Sequence, residues 1–410
     1  CFIMGKTAQN SKKGFGTNVY QKKQMTILFH RPTPWSNNIN CSTKTYSKLF
    51  AEAGYSVIYL QSNINLLHWI TGKGYFKTWK EGSRFAGNVW VTCALSLIPY
   101  YDKSSLFSKK IIKLSYKFCF PSLRKLILKS GFGEPDVIWT TIPGSSVLKD
   151  LFPKAQLVFH CIDNYAAYRG DQVTKIETED YKKSDHIFVI GEVLKKHVLS
   201  LNTSEEKITN LGQGVNIERY QKKYEIPEEL KNIVGPIAIW VGVLEKFDAT
   251  YLEVIAKTMK KRGGSVVLLG PIKKSYTDLF IGFDNIFFLG SKSSIDVPKY
   301  LLHCDLGLMP YNRTNQEIYK GQHPLKLYEY AAAKLPIIST WNDEYETLKP
   351  PVLLINNEKD IEKAIYEALD NANFWKDKVY DFALKNTWEK CKNKAEKTIF
   401  NITNKTITSI

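Results

Sequence analysis

The chain reads as an α/β protein made of two Rossmann-like domains with parallel sheets facing a central cleft. Three observations carry this reading. Short apolar runs of strand length alternate with helical patterns along most of the 410 residues. The runs are apolar throughout, as in strands covered on both faces by helices. The same rhythm restarts at Ile237, so two such blocks follow one another. A chain of 410 residues is long enough for two separate cores.

The elements follow in order. Residues 1–24 are polar, aperiodic and rich in Gly, Lys and Asn, and read as a disordered lead-in. Residues 25–30 form a first buried strand, followed by a loop with Pro32 and Pro34. A helix over about 42–54 and a strand over 55–60 complete a βαβ start. The stretch 63–84 is aromatic and basic, with Trp69, Tyr75, Phe76 and Trp79 among Lys73, Lys77 and Lys80. Strands at 136–141, 156–163, 186–190 and 208–211 finish a first domain over 25–218. The second domain, 219–384, takes strands at 237–242, 266–270, 286–290, 306–310 and 337–340. Ligands of such sheets bind beyond the carboxyl ends of the strands. Gly242, Gly270 and Gly290 stand at that edge, where a missing side chain lets backbone approach a ligand. Ordinary turn chemistry accounts for any one of them equally well. A last helix, Trp388 to Phe400, lies within residues 385–410.

Composition narrows the function class. The net charge is 57 − 40 = +17, which draws the chain to nucleic acid, anionic lipid or phosphorylated substrates. No recognised nucleic-acid module is visible, so that partner falls behind the others. Seven cysteines are scattered without a C-x-x-C, which indicates neither a disulfide framework nor a zinc site and suits a reducing cytosol. No apolar run reaches bilayer length, and the first residues lack a signal-peptide core. There is no G-x-G-x-x-G opening a helix and no P-loop, which argues against a dinucleotide oxidoreductase and a P-loop NTPase. No D-x-D flanked by strands offers a metal–diphosphate anchor.

Charge gathers between Ser104 and Gly131, with seven Lys/Arg and no acid. Phe107, Ile111, Leu114 and Phe118 fall on one helical face, and Lys109, Lys113 and Lys117 on the other. Two readings stand: an interfacial helix on an anionic membrane, or a core-packed helix with a solvated basic back.

The most informative string is His323-Pro324-Leu325-Lys326-Leu327-Tyr328-Glu329-Tyr330-Ala331-Ala332-Ala333-Lys334-Leu335-Pro336-Ile337-Ile338-Ser339-Thr340. It reads as a helix starting at a proline and leading into a buried strand. Lys326 sits in the first turn, where free N–H groups and the helix dipole favour an anion. Glu329 projects from the same face one turn on. A cation for a diphosphate beside a carboxylate for ribose hydroxyls suits a nucleoside diphosphate. A surface Lys–Glu pair is the plain alternative.

The Pro324–Tyr330 segment followed by Leu335–Thr340 resembles the donor-binding motif of GT-B glycosyltransferases. It is most similar to the bacterial group that builds exopolysaccharide and teichuronic-type polymers, including the xanthan glucuronosyltransferase. The resemblance runs from about Met25 to the C-terminal helix, specific in the second half and loose in the first. It implies a transferase using a UDP-sugar, with UDP-glucuronic acid favoured. It also implies a lipid-linked or polysaccharide acceptor and a place on the inner face of the cell membrane. Lys326 then contacts the diphosphate and Glu329 the ribose, with Leu325 beside them. By the same resemblance Tyr311 touches the nucleotide or sugar phosphate, Gly290 and Ser291 lie where uracil is read, and Gly242 and Lys246 line the diphosphate end; a strand-end core aromatic for Tyr311 and a solvated helix start for Lys246 are equal alternatives. The last helix crosses back to the first domain. Neither metal nor cofactor is expected, since Lys326 and a helix N-terminus supply charge to a leaving diphosphate.

Single displacement needs a carboxylate to take the acceptor's proton. Asp163 stands at the end of a buried strand, ahead of Asn164 and Tyr165, where that group's aspartate base is expected. An Asx-type cap on the next turn is the competing role. His160 reads as a core residue or one that supports the site from behind, and Asn164 as an acceptor neighbour. Retaining members of the largest GT-B family carry a glutamate eight positions before the ribose glutamate. Here that position is Gly321, with Glu317 out of register, which favours inversion over the alternative of retention. A catalytically silent scaffold is the remaining possibility.

Overall fold

A computed structural model describes residues 25–31, 33–36, 41–61, 63–65, 75–98, 108–312 and 322–407. The lead-in over 1–24, Trp69, Lys73, Phe107, Glu317 and Gly321 lie outside the described residues.

The first sheet holds β1 (Thr26–His30), β2 (Ser56–Leu60), β3 (Arg84–Ala86), β4 (Val89–Thr92), β5 (Val137–Thr140), β6 (Gln156–Cys161), β7 (His186–Val189) and β8 (Ile208–Asn210). Its order is β8-β7-β6-β5-β1-β2-β4-β3, parallel except for the β3–β4 hairpin at the edge. The second sheet holds β9 (Ile237–Val241), β10 (Ser265–Leu269), β11 (Ile286–Gly290), β12 (Leu306–Met309), β13 (Ile337–Ser339) and β14 (Leu353–Leu354). Its order is β11-β10-β9-β12-β13-β14, parallel throughout.

Both faces of each sheet are covered, which is why the strands are apolar without alternation. On one face of the first sheet, α1 (Ser42–Glu52) and α9 (Trp388–Ile407) pack Tyr46, Phe50, Trp388, Ala395 and Ile399 onto Phe29 and Trp139. The other face takes Ile112 and Tyr116 of α2 (Lys109–Lys117). Alongside run α3 (Asp171–Lys183) and α4 (Glu192–Ser200). In the second half, α5 (Ala249–Lys261) and α7 (Glu358–Asp370) cover Ala238, Val266 and Leu268. The opposite face takes α6 (Leu325–Ala332) and α8 (Ala372–Lys385) over Ile239 and Val267. The chain passes between the halves at two adjacent points, where Val215 pairs with Thr387.

The basic segment departs from the sequence expectation. The buried face of α2 is Ile112, Ser115 and Tyr116, and Phe118 lies outside the helix, about half exposed. Two lysines of the basic back meet acids of the same domain, as in the core-packed reading of the helix: Lys109 with Glu179 at 2.5 Å and Lys113 with Asp150 at 2.8 Å. Amphipathic spacing left the stripe's centre open by one residue, and packing against the first sheet chose Ile112. Pro324 also shifts by one place, standing at the cap position before α6 rather than inside it.

Candidate active site

The carboxyl ends of the two sheets enclose a cavity of about 430 Å3. One wall carries Arg31, Cys41, Ser42, Ile162, Asp163 and Ile190, each just beyond a strand of the first sheet or at the start of α1. The other carries Gly242, Val243, Lys246, Tyr311, residues 322–326 and Glu329. Seven of the residues singled out in the sequence therefore meet in one place: Asp163, Gly242, Lys246, Tyr311, Leu325, Lys326 and Glu329.

Backbone shapes the second wall. Gly242 donates its N–H to Leu269 O at 2.8 Å, and Gly270 donates to Gly290 O at 2.9 Å. Gly270 has φ +151°, and a Cβ there would lie 1.8 Å from Gly242 O. Only glycine lets these strand ends run so close. Gly290 belongs to this staircase, but neither it nor Ser291 lines the cavity. The expected uracil position therefore falls outside the described pocket, because β11 is the outermost strand of the sheet.

Lys326 enters the cavity from the first turn of α6, whose cap residue makes no side-chain bond to the helix's free N–H groups. Its Nζ lies 3.2 Å from the centre of the Trp240 ring and 4.9 Å from that of Tyr311. Burial pushes the ammonium's pKa well below the usual lysine range, Lys246 pushes it further, and Glu329 partly opposes them. Tyr311 is fixed by its N–H bond to Thr340 Oγ1 at 3.1 Å. The N–H of Asn312 donates to Lys246 O at 2.9 Å, tying the Lys246 turn to the end of β12.

On the first wall Asp163 follows β6 and faces the cavity. The cap role falls to its neighbour: Asn164 Oδ1 accepts from Ala167 N at 3.3 Å at the start of helix Tyr165–Arg169. Asn164 lines an adjoining cavity of about 460 Å3, with residues of α4 and of 343–347. His160 does not reach the site. It is fully buried among Tyr46, Trp139 and Phe188, both ring nitrogens lack a hydrogen-bond partner, and burial pushes its pKa down to about 3. Strand alternation turns its side chain onto the sheet face beneath α1 rather than toward the strand's end.

Four residues of this region were given no site role from their sequence. Arg31, immediately after β1, donates to Thr33 Oγ1 at 3.3 Å and Thr141 Oγ1 at 3.2 Å. Burial works against its charge, and Tyr165, Cys41, Tyr59 and Asp163 more than offset that. The Trp240 ring lies under Lys326 Nζ. His323 and Glu344 join the halves. His323 Nδ1 lies 2.5 Å from Ile190 O, its Nε2 meets the Tyr328 hydroxyl, and burial lowers its pKa, which favours the neutral ring. Glu344 accepts from Glu192 N at 2.8 Å and Val193 N at 3.1 Å, capping α4 from the opposite half. A basic residue right after a strand was the available signal for Arg31. The other three depend on contacts distant in sequence. Among the described residues no group of three or more His, Cys, Asp or Glu is placed to hold a metal ion.

No protein-family model matches the chain. It is 26% identical over 241 residues to TuaH of Bacillus subtilis strain 168, a protein assigned to teichuronic acid biosynthesis as a glycosyltransferase. That match covers 54% of this chain and 59% of the relative, so the chain spans less than two thirds of it. Among solved structures, sucrose-phosphate synthase from Thermosynechococcus elongatus superposes with a TM-score of 0.66 at 12% identity, over 92% of this chain and 99% of the other. Anabaena HepE, determined with UDP and glucose, gives 0.62 at 13% identity over 92% and 99%. The α,α-trehalose 6-phosphate synthase from Burkholderia multivorans gives 0.64 at 11% identity over 94% and 98%. The chain has the GT-B fold.

Proposed function

We propose that this chain is a glycosyltransferase that moves a sugar from a UDP-sugar to a lipid-linked or polysaccharide acceptor in surface glycan synthesis. One observation carries the proposal: Lys326 and Glu329 of one half and Asp163 of the other line a single cavity at the facing sheet edges. The UDP-bound HepE structure and the TuaH likeness support the donor and the pathway class.

In this reading the diphosphate lies against Lys326, Lys246 and the N-terminus of α6, and Glu329 accepts from ribose hydroxyls. Asp163 takes the proton of the acceptor hydroxyl as its oxygen attacks the anomeric carbon. The bond from that carbon to the diphosphate oxygen breaks, UDP leaves with the electron pair, and configuration inverts. Lys326 offsets the charge on the departing oxygen without a metal. Glucuronic acid is the first donor sugar to test, and retention remains the alternative outcome.

An anionic membrane surface is part of the proposal. Leu97, Phe118 and Phe120 are 61%, 47% and 70% exposed. They sit on adjoining segments, since Leu97 N donates to Phe118 O and Leu95 pairs with Phe120. Exposed Lys117 and Lys125 flank them in sequence. Among the described residues no helix is long and apolar enough to cross a membrane.

The deciding experiment is a UDP-sugar screen that measures UDP release with and without chelator, paired with a UDP titration. Lys326→Ala should lower UDP affinity by about 10- to 150-fold, the range for a charge-assisted contact, and abolish release. Unchanged UDP affinity in that variant would remove the donor assignment.

A further inference from the structure

Lys326 makes no ion pair with any acid among the described residues, although Glu329 lies one turn away on the same helix. What faces its ammonium is aromatic. The Trp240 ring centre is 3.2 Å from Nζ and the Tyr311 ring centre 4.9 Å. A cation over such a face is attracted by the ring quadrupole. The indole itself is held on several sides. It is fully buried at the end of β9, and its Nε1–H donates to Gly242 O at 3.3 Å. Phe247 and Tyr311 meet it edge-on, at 4.9 and 5.4 Å between ring centres. Gly242 completes the seat, because a Cβ there would come within 3.1 Å of Nζ.

The geometry points to Trp240 as the residue that positions Lys326 for the diphosphate, with Tyr311 as the second side of the same aromatic seat. The inference rests on the donor reading above and adds to it how the cation is kept available. A lysine paired with a carboxylate must exchange one anion for another when substrate arrives. A lysine seated on an aromatic face is in no direct ion pair, so no carboxylate has to be displaced from it when the phosphates arrive. The ring also restricts a four-carbon chain that would otherwise sample many rotamers, and that ordering is already done before binding. Trp240 is therefore a positioning residue, acting on substrate through Lys326.

The test is a double-mutant cycle read by calorimetry with UDP and with uridine. Trp240→Leu should weaken UDP binding by about 3- to 30-fold, the range expected for a desolvated cation over indole. Uridine, which has no phosphates for Lys326 to meet, should bind as in the parent. In a Lys326→Met background, Trp240→Leu should cost less than twofold more. Equal losses in the two backgrounds, or a matching loss of uridine binding, would overturn the inference. Because Trp240 is buried, site-specific replacement by increasingly fluorinated tryptophans provides the shape-preserving arm. UDP affinity should fall stepwise as the ring face loses electron density, and a flat series would also overturn it. If Lys326→Met itself leaves UDP binding intact, the donor reading fails instead, and the two failures are distinguishable.

Discussion

The two halves face one cavity with different materials. The second sheet offers close-run backbone and two cations: Gly242 and Gly270 bring strand ends close together, Lys246 lies beside them, and Lys326 projects above them from α6. The first sheet offers side chains, Arg31 after β1, Asp163 after β6 and Ile190 after β7. Backbone and cations suit a fixed partner such as a diphosphate. Side chains from separate strand ends suit a partner whose shape differs from one enzyme to another. In the proposed reaction this becomes a division of labour, with binding of the leaving group and activation of the attacking group on opposite walls.

The sharpest way to break that division is Asp163→Asn, which keeps shape and removes a proton acceptor. Turnover should fall roughly 10²–10⁴-fold, while UDP affinity stays at the parent value. Measuring both on one preparation decides it, since a joint loss would mean the walls are not independent. Product anomer analysis on the parent enzyme then separates inversion from retention.

A smaller effect sharpens the account of the second wall. Burial and Lys246 lower the pKa of Lys326, whereas a bound diphosphate favours its charged form. UDP affinity should therefore be full below that depressed pKa and fall as pH rises through it, by up to about tenfold per unit. Lys246→Met removes one cause of the depression, so the fall should move to higher pH even if affinity drops overall. Calorimetry across about pH 6 to 10 reads the shift, and an unmoved midpoint would show that Lys246 does not act on Lys326.

The smallest expected effect concerns the seam. Glu344→Ala leaves Glu192 N and Val193 N without their acceptor, at a cost of about 0.5–2 kcal/mol by analogy with other helix caps. Gly191→Ala should act in the same direction, because its Cβ would lie 2.4 Å from Glu344 Oε2. Denaturant titration measures the loss. A variant as stable as the parent would mean water replaces the carboxylate at no cost.

These contrasts also explain what could be read without coordinates. The strands and the two Rossmann-like blocks were legible because buried parallel strands leave unbroken apolar runs, and the GT-B fold was implied by the resemblance of the Pro324–Thr340 string to a donor-binding motif. The Lys326–Glu329 pair was legible because one helix carries both residues. Arg31 and Asp163 lie far apart in sequence, and only the sheet order β6-β5-β1 brings them to one edge. Trp240 looked like another strand residue until Lys326 was placed over it. His160 shows the complementary limit. A residue inside a strand is easily located along the sheet, but the chosen face depends on the helices that cover it. The same ambiguity moved the buried stripe of α2 from Ile111 to Ile112.

The seam where Val215 meets Thr387 also bears on how the molecule is made. Trp388, Cys391, Ala395 and Ile399 of α9 belong to the core beneath β1 and β5, and Tyr46 of α1 packs on Trp388 at 5.6 Å. A ribosome synthesises the whole second domain before it reaches those residues. The half that begins first therefore cannot close its core first, and the usual order of co-translational folding is reversed for its last layer. Until residue 399 emerges, the nascent first domain exposes the apolar surface of α1 that α9 will cover, which makes this face the natural point of contact for a chaperone.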